Sequence, residues 1–495
     1  MRGAWCRSAC PAGTTAAKIY PVVKFAISQC ASASPPIAVA TRRTTRMSPD
    51  LMIRPETVAD WTYYPELLER PVPRYTSYPT AAEFVEESFE ERQRQALQSL
   101  RGPVSLYLHI PYCQEICWYC GCNTGAANKT QRLGAYLEAL HHEIELVARN
   151  LHSSVRISRI AFGGGSPNAI KPTDFVRLVD RLTVNFRLAS PVLSIELDPR
   201  SLEPGWFLAI RGIGVIKASL GVQTLDPRVQ AAIGRVQPRE HIERAVDGLR
   251  KAGVDSINFD LMYGLPFQDD AILADTLDQS VAMGADRIAL FGYAHVPHMI
   301  PRQKRIDVSQ LPDQRARFRM AAQGHAQLVD AGYRAIGFDH FALPGDDLAL
   351  AAERGALRRN FQGFTDDPAP VLIGLGASSI SEFPDLFVQN EKNAGRYRML
   401  VGASQLTGRK GVVRTAEDRR RGAIITDLLC QGGARIDADL LAMNRDRLVP
   451  FIERGLARLD GNVLALLAGS EPYARSIAAV FDAYRAGPHQ FSSAV

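Results

Sequence analysis

The chain has 495 residues, 46% of them apolar and 22% charged, and a formal net charge of +6. That length supports two or three domains with a large core, and so long a chain with only eight cysteines needs no disulfide framework. Residues 1–52 hold seven of the 58 bases and one of the 52 acids, which leaves 51 of each elsewhere, so the broad basic footprint of a nucleic-acid binder is not expected.

The first 52 residues are rich in Ala, Ser, Thr and Arg. Their most apolar run, Ile19 to Ile27, is interrupted by Pro21 and Lys24, which suits a secretory signal poorly. A disordered or non-native extension, with Met47 or Met52 as the working start, is expected ahead of an organelle transit peptide, and secretion last. Cys6, Cys10 and Cys30 lie in this stretch and receive no role. No segment is long and apolar enough for a membrane span.

From residue 104 short β-rich runs alternate with helical patterns. Strands are expected at Val104–Ile110, Ile157–Gly163, Leu193–Leu197, Ile216–Val222, Ser256–Met262, Arg287–Tyr293 and Tyr333–Phe338. Between the first two, Leu133, Leu137, Leu140, Ile144 and Val147 form one helical stripe. Further helices are expected at Asp174–Phe186, Arg239–Ala252, Ile272–Met283 and Asp313–Asp330. The alternation predicts an α/β fold with a parallel sheet and outer helices, open or closed into a barrel. After about residue 410 it stops. Helices at Asp418–Leu429 and Tyr473–Arg485, and a helix with a short strand pair over Leu448–Val463, predict a smaller, mainly helical C-terminal domain over 411–495.

Just beyond the first strand come Cys113, Cys117, Cys120 and Cys122, with Tyr119 before the third. The first three read C-x3-C-x2-C. Three thiolates on one short loop can hold three corners of a [4Fe–4S] cube and leave one iron open for a ligand. A zinc site using all four sulfurs is the competing reading, although zinc usually draws its ligands from two separated knuckles.

Polar residues collect where expected strands end, the place where parallel α/β folds gather function. Gly163-Gly164-Gly165-Ser166-Pro167 allows close backbone approach to a ligand or simply a tight turn. Glu196 and Asp260 are carboxylates inside apolar strands, a costly placement without a partner. Gln223 ends the fourth strand, and Arg235, twelve residues on, suits a bidentate grip on a ligand carboxylate.

The cysteine loop followed by the glycine run resembles the radical S-adenosylmethionine (SAM) superfamily. From Arg74 to about Phe491 the chain resembles the oxygen-independent coproporphyrinogen III oxidases. The motifs that carry this include Arg74-Tyr75-Thr76-Ser77-Tyr78-Pro79-Thr80, His109-Ile110-Pro111-Tyr112-Cys113 and Glu196-Leu197-Asp198-Pro199-Arg200. Gly221-Val222-Gln223, Asp260 to Pro266, Tyr293-Ala294-His295, Asp339-His340-Phe341-Ala342 and Asn360-Phe361-Gln362-Gly363-Phe364-Thr365 continue it.

The resemblance implies an open, TIM-like β/α barrel and a cluster held by Cys113, Cys117 and Cys120, with Cys122 a bystander. It implies two SAM molecules, held at Tyr107, Gly165, Ser166, Glu196, Gln223, Arg235, Asp260, Ala294 and Ile380. The expected reaction converts two propionates of coproporphyrinogen III to vinyls by 5′-deoxyadenosyl radical chemistry, yielding protoporphyrinogen IX. An electron donor and acceptor of unspecified identity are required, and a cytoplasmic monomer is expected. Four substrate carboxylates call for basic residues, first Arg74, then Arg358 and Arg359. Three positions depart from the family: Ser166 for Thr, Lys217 for Arg and Gly292 for Asn. A heme chaperone related to this family is the alternative, although such chaperones generally lack the RYTSYPT and NFQGFT segments.

Overall fold

The computed structural model describes residues 61–127 and 130–485. The N-terminal extension expected at 1–52 lies outside them. The strands and helices expected between residues 104 and 330 are present to within a few residues, and a helix that sequence periodicity did not show, Pro204–Ile213, joins them. They are β1 (Pro103–Ile110), α1 (Thr130–Arg149), β2 (Arg156–Gly164), α2 (Pro172–Asn185), β3 (Leu188–Leu197), α3 (Pro204–Ile213), β4 (Lys217–Gln223), α4 (Arg239–Lys251), β5 (Ser256–Tyr263), α5 (Asp270–Ala282), β6 (Arg287–Gly292) and α6 (Gln314–Asp330). Strands β1 to β6 pair in parallel in sequence order. Their inward and outward faces are both covered, so residues such as Leu106, Leu108, Ile160, Phe162, Leu220 and Phe259 are buried in one continuous core.

The sheet does not close. Beyond β6 it continues antiparallel, through His340–Ala342 to Arg334–Ile336, so the expected strand at Tyr333–Phe338 is short and sits on the outer edge. Gly337, at φ +63°, turns the chain there and leaves room for the Phe364 ring, which prevents the strand from running on. Beyond β1 lie Leu372–Leu375, parallel to it, and then the antiparallel strands Ile380–Phe383, Leu386–Asn390, Gly408–Val413 and Val85–Glu86. Sequence periodicity missed these strands because they are short and interrupted by Gly374, Gly376 and several serines.

One buried carboxylate fastens this extra wall to the barrel. Glu143 of α1 accepts from Gly376 N (2.5 Å), Tyr397 Oη (2.7 Å), Thr407 Oγ1 (2.8 Å) and Asn390 Nδ2 (2.8 Å). Burial raises its carboxyl, and the four donors oppose that rise.

At the N-terminal ends of the strands a charged cluster fills the barrel floor. Asp366 accepts from Arg159 at 2.9 Å and from Lys217 at 3.1 Å, while Lys217 also reaches Asp347 at 2.8 Å. Lys217 therefore bridges two carboxylates at the end opposite the cysteine loop, which a single ammonium does without an arginine's fork.

In the C-terminal part, Ala416–Gln431 begins with a capping box between Thr415 and Asp418. The helix expected inside Leu448–Val463 begins earlier and spans Ala438–Glu453, followed by the strand pair Ala457–Asp460 and Val463–Leu466. The helix expected at Tyr473–Arg485 is instead one α-turn, Ala474–Ala478, between 3-10 turns, and it ends by Phe481. The reason is tertiary: Tyr75 Oη donates to Asp482 Oδ2 at 2.9 Å, and Ala483 N donates to Tyr78 Oη at 2.9 Å. These bonds take the chain out of the helix and pin it to the RYTSYPT segment. Tyr75 and Tyr78 join Leu68, Val72, Leu428 and Phe451 in a second hydrophobic core.

Candidate active site

The cysteine loop leaves β1 and is tied down at both ends. Tyr112–Cys113 pairs with Gly125–Ala126, and Trp118 N donates to Ile233 O at 3.0 Å. Cys117 is buried, Cys113 and Cys120 are half-buried, and Cys122 is exposed, with its main-chain N–H 3.4 Å from Cys120 Sγ. Two guanidinium groups address Cys117: Arg235 Nη1 lies 3.2 Å and Arg200 Nη2 3.5 Å from its Sγ. Both arginines also hold Asp198, at 3.2 Å and 2.6 Å. Burial alone would raise the Asp198 carboxyl, but Arg235 and Arg200 hold it below the usual range. Among the described residues no three Cys, His, Asp or Glu side chains converge closely enough to grip a single ion. A four-iron cube has a separate iron for each cysteine and holds the sulfurs further apart.

Each glycine of the run after β2 makes room for something different. A Cβ on Gly163 would stand 2.5 Å from the Glu196 carboxyl, and one on Gly164 2.7 Å from the His109 ring. On Gly165 it would stand 2.5 Å from Tyr112 O, in the main chain beside Cys113. The cradle is thus shaped by close approach and is more than a tight turn. Ser166 N donates to that same Tyr112 O at 2.8 Å, and Ser166 Oγ lies 2.5 Å from Asn168 Oδ1. Asn168 Oδ1 accepts from Asp198 N at 2.9 Å, which links the glycine run to the Arg200–Arg235 clamp.

Inside this rim sit two half-buried carboxylates, Glu196 and Asp260, with no ion pair among the described residues. Burial pushes Glu196 up to about 7, opposed by the N–H of Gly164 at 3.1 Å. Burial also raises Asp260, against donation from Ser219 Oγ (2.9 Å) and Asn258 Nδ2 (2.8 Å). Tyr107 Oη lies 3.2 Å from His109 Nδ1, whose ring burial drives down to about 4, so the imidazole is neutral at pH 7. Gln223, at φ +67°, ends β4 where its register with β5 shifts.

The remaining expected residues stand at the margin. Ala294 O accepts from Gln303 Nε2 at 3.0 Å, and the same amide donates to Tyr119 O at 2.9 Å, which clasps the loop after β6 to the cysteine loop. Ile380 is half-buried at the start of its strand, its carbonyl closing over Gly374. Neither touches the two acids directly. Sequence reasoning gave no role to His109, Arg200 or Gln303. The first two lie inside quoted motifs, but nothing in the sequence places Gln303 beside Tyr119.

The Radical SAM superfamily profile matches residues 107–279. The oxygen-independent coproporphyrinogen III oxidase of Bradyrhizobium diazoefficiens is 42% identical over 428 residues, covering 84% of this chain and 95% of that one. The enzyme of that name from Escherichia coli K12 is 35% identical over 440 residues, covering 86% and 96%. The solved structure of the Escherichia coli coproporphyrinogen III oxidase HemN, described as a Radical SAM enzyme, covers 84% of this chain and all of that one, with a TM-score of 0.79 at 33% identity. The chain belongs to the oxygen-independent coproporphyrinogen III oxidases.

For a member of that family, a [4Fe–4S] cluster and SAM are implied, and the residues present fit them. Cys117 already receives charged donors, the glycine cradle admits a ligand backbone-close, and Arg235 Nε is a buried donor with no acceptor among the described residues. Arg74, the first basic residue expected on the substrate side, lies beside Gly292 and Phe291. Its side chain is 37% exposed, with Nη2 3.4 Å from Gly292 O, Nη1 3.8 Å from Asp339 and the guanidinium 4.8 Å from the Phe291 ring centroid. Arg359 is buried and donates to the carbonyls of Arg74 and Tyr75, so it supports that segment. Arg358 points away and donates to Pro368 O and Ala369 O.

Proposed function

We propose that this chain oxidatively decarboxylates two propionate side chains of coproporphyrinogen III to vinyl groups without oxygen, giving protoporphyrinogen IX for heme formation. The observation that carries the reading is the arginine-clamped cysteine loop sharing the C-terminal end of the β1–β6 sheet with the Arg74 pocket. When bound, the [4Fe–4S] cluster and SAM supply a 5′-deoxyadenosyl radical, which takes a β-hydrogen from a propionate. Each propionate would then lose its carboxylate as CO2 together with one electron, which an acceptor must collect, and its two remaining carbons become the vinyl group.

Within this reading Cys113, Cys117 and Cys120 ligate the cluster. Arg235 pairs with a ligand carboxylate, while Glu196 and Asp260 accept from ammonium or hydroxyl donors, which relieves the cost of their burial. Tyr107, Gly165, Ser166, Gln223, Ala294 and Ile380 complete the walls for two SAM molecules. The neutral His109 orients Tyr107 and accepts or donates to Ser378 Oγ at 3.2 Å. Residues 53–410 would form the catalytic domain and 411–495 the C-terminal one; the second hydrophobic core draws on both, since Leu68, Val72, Tyr75, Tyr78 and Phe318 pack with Leu428 and Phe451. The protein works as a cytoplasmic monomer with an electron donor and acceptor from outside; no helix among the described residues is long and apolar enough to cross a membrane.

The test is an anaerobic assay of reconstituted protein with SAM, reductant and coproporphyrinogen III. Substrate-dependent 5′-deoxyadenosine and protoporphyrinogen are expected, and their absence would sink the proposal. Cys117→Ala should lose the cluster absorbance and Cys122→Ala should keep it.

A further inference from the structure

Three arginines surround the Tyr263 hydroxyl at the C-terminal ends of β5 and β6: Arg74, Arg317 and Arg475 each lower its pKa against the rise that burial imposes. They come from far apart in the chain, one before β1, one on α6 and one in the C-terminal part. Gly292 lies beside two of them, and Arg475 lines the same cavity. The Gly292 carbonyl accepts from Arg74, and a Cβ on that glycine would stand 2.9 Å from Tyr263 Oη and 3.2 Å from Arg317 Nη2. The space beside Gly292 is left open, and a tyrosine hydroxyl and a guanidinium occupy its margin. Arg475 is buried, with its guanidinium 5.2 Å from the Phe338 ring centroid, and Arg359 stands over the same ring at 5.0 Å.

The charge here is unbalanced. Burial would raise the Asp339 carboxyl, but His340, Arg359 and Arg74 hold it down to about 2, so it is ionised. Glu471 also lines the cavity, and burial shifts it toward its neutral form. Arg74, Arg359 and Arg475 all act on Asp339, and Arg317 has no carboxylate within ion-pair distance among the described residues. Arg317 Nε and Arg359 Nη1 are buried N–H groups with no acceptor among those residues. A buried cationic group with unused donors is costly unless an anion completes it.

We infer that Arg74, Arg317 and Arg475 form a receptor for a propionate carboxylate of the substrate that is not itself being decarboxylated, with Arg359 as a positioning residue behind Arg74. The inference rests on the proposed function and adds where the tetrapyrrole is anchored. His340 connects the two regions: it lies against Asp339 at 2.6 Å and its ring packs edge-on to Phe291 beside Arg74. Anchoring an unreactive carboxylate here would hold a reacting propionate toward Asp260 and Glu196. The aromatic and apolar lining of Phe291, Phe338 and Phe341 suits the pyrrole rings to which such carboxylates are attached.

The experiment measures anaerobic equilibrium binding of coproporphyrinogen III by ultrafiltration, with SAM withheld so that nothing turns over. Wild-type, Arg317→Met, Arg475→Met and Arg317→Lys proteins are compared, each with its iron content, and coproporphyrinogen III tetramethyl ester is the second ligand. The wild-type protein should hold the tetra-acid about tenfold or more tightly than the ester. Both Met variants should lose about that factor for the acid and nothing for the ester, and Arg317→Lys should recover part of it. Equal binding of acid and ester by wild-type protein would overturn the inference, and that measurement decides the matter even where a variant fails to fold. So would Met variants with full iron content that bind the acid like wild type. A wild-type protein that neither binds nor converts the tetra-acid would overturn the proposed function itself, and this inference with it.

Discussion

Arg235 and Asp198 form a buried ion pair at 3.2 Å beneath Cys117, and the same guanidinium reaches the sulfur with its other nitrogen. The pair ties the cysteine loop to the segments that follow β3 and β4. Arg200 doubles the arrangement from the loop after β3, through its own 2.6 Å contact with Asp198.

Arg200→Met should therefore keep the iron but change its electronics. Removing a charged donor to a ligand sulfur makes the cluster harder to reduce, so its midpoint potential should fall by on the order of tens of millivolts. An EPR-monitored redox titration checks this. An unchanged potential would show that Arg200 serves only the Asp198 loop.

Glu196 gives a pH dependence with a definite sign. Its folded pKa of about 7 lies above the ordinary 4.5, so between those values the native state holds a proton that the unfolded state has lost. Stability of the ligand-free protein thus falls as pH rises through that window, by roughly 2–3 kcal/mol from this group. Glu196→Gln should remove that contribution. The stability gap between variant and wild type, read from urea midpoints, should widen from pH 5 to pH 8, and a constant gap would contradict the burial argument.

Glu143→Leu should be among the most damaging single changes. It leaves the donors of Gly376, Tyr397 and Thr407 buried and unpaired, while Asn390 Nδ2 keeps Gly376 O and Ser379 Oγ as acceptors. The expected loss is about 3–5 kcal/mol, and Glu143→Gln, which keeps one acceptor, should cost less. Chemical denaturation of the three proteins orders them.

Gly165→Ala tests the coupling between the glycine run and the cysteine loop. The new methyl group would meet main-chain atoms of Tyr112, which cannot rotate away. Iron and sulfide per chain should drop severalfold while far-UV circular dichroism stays near wild type. Full iron content would mean that the loop shifts without losing its ligand geometry.

Much of the barrel was legible in the sequence because β1 to β6 and their helices are long, periodic and locally consistent, and the four cysteines announce themselves by spacing alone. The motif residues mapped to the C-terminal strand ends for the same reason: in a parallel sheet the direction of each strand dictates which end faces the site. Other features lacked any local signal. The antiparallel wall from Leu372 to Val413 consists of runs too short to show a period, and its attachment depends on Glu143, more than two hundred residues earlier. The last helix was misjudged because Tyr75 and Tyr78 draw Asp482 and Ala483 away from it, a competition that helix propensity cannot express. The convergence of Arg74, Arg317 and Arg475 on Tyr263 belongs to the same class. By itself the sequence determined the barrel strands, the metal-binding loop and the family. Tertiary structure alone decided which distant charges share a buried space, because electrostatic and hydrogen-bond partners are chosen by distance through space and leave no period along the chain.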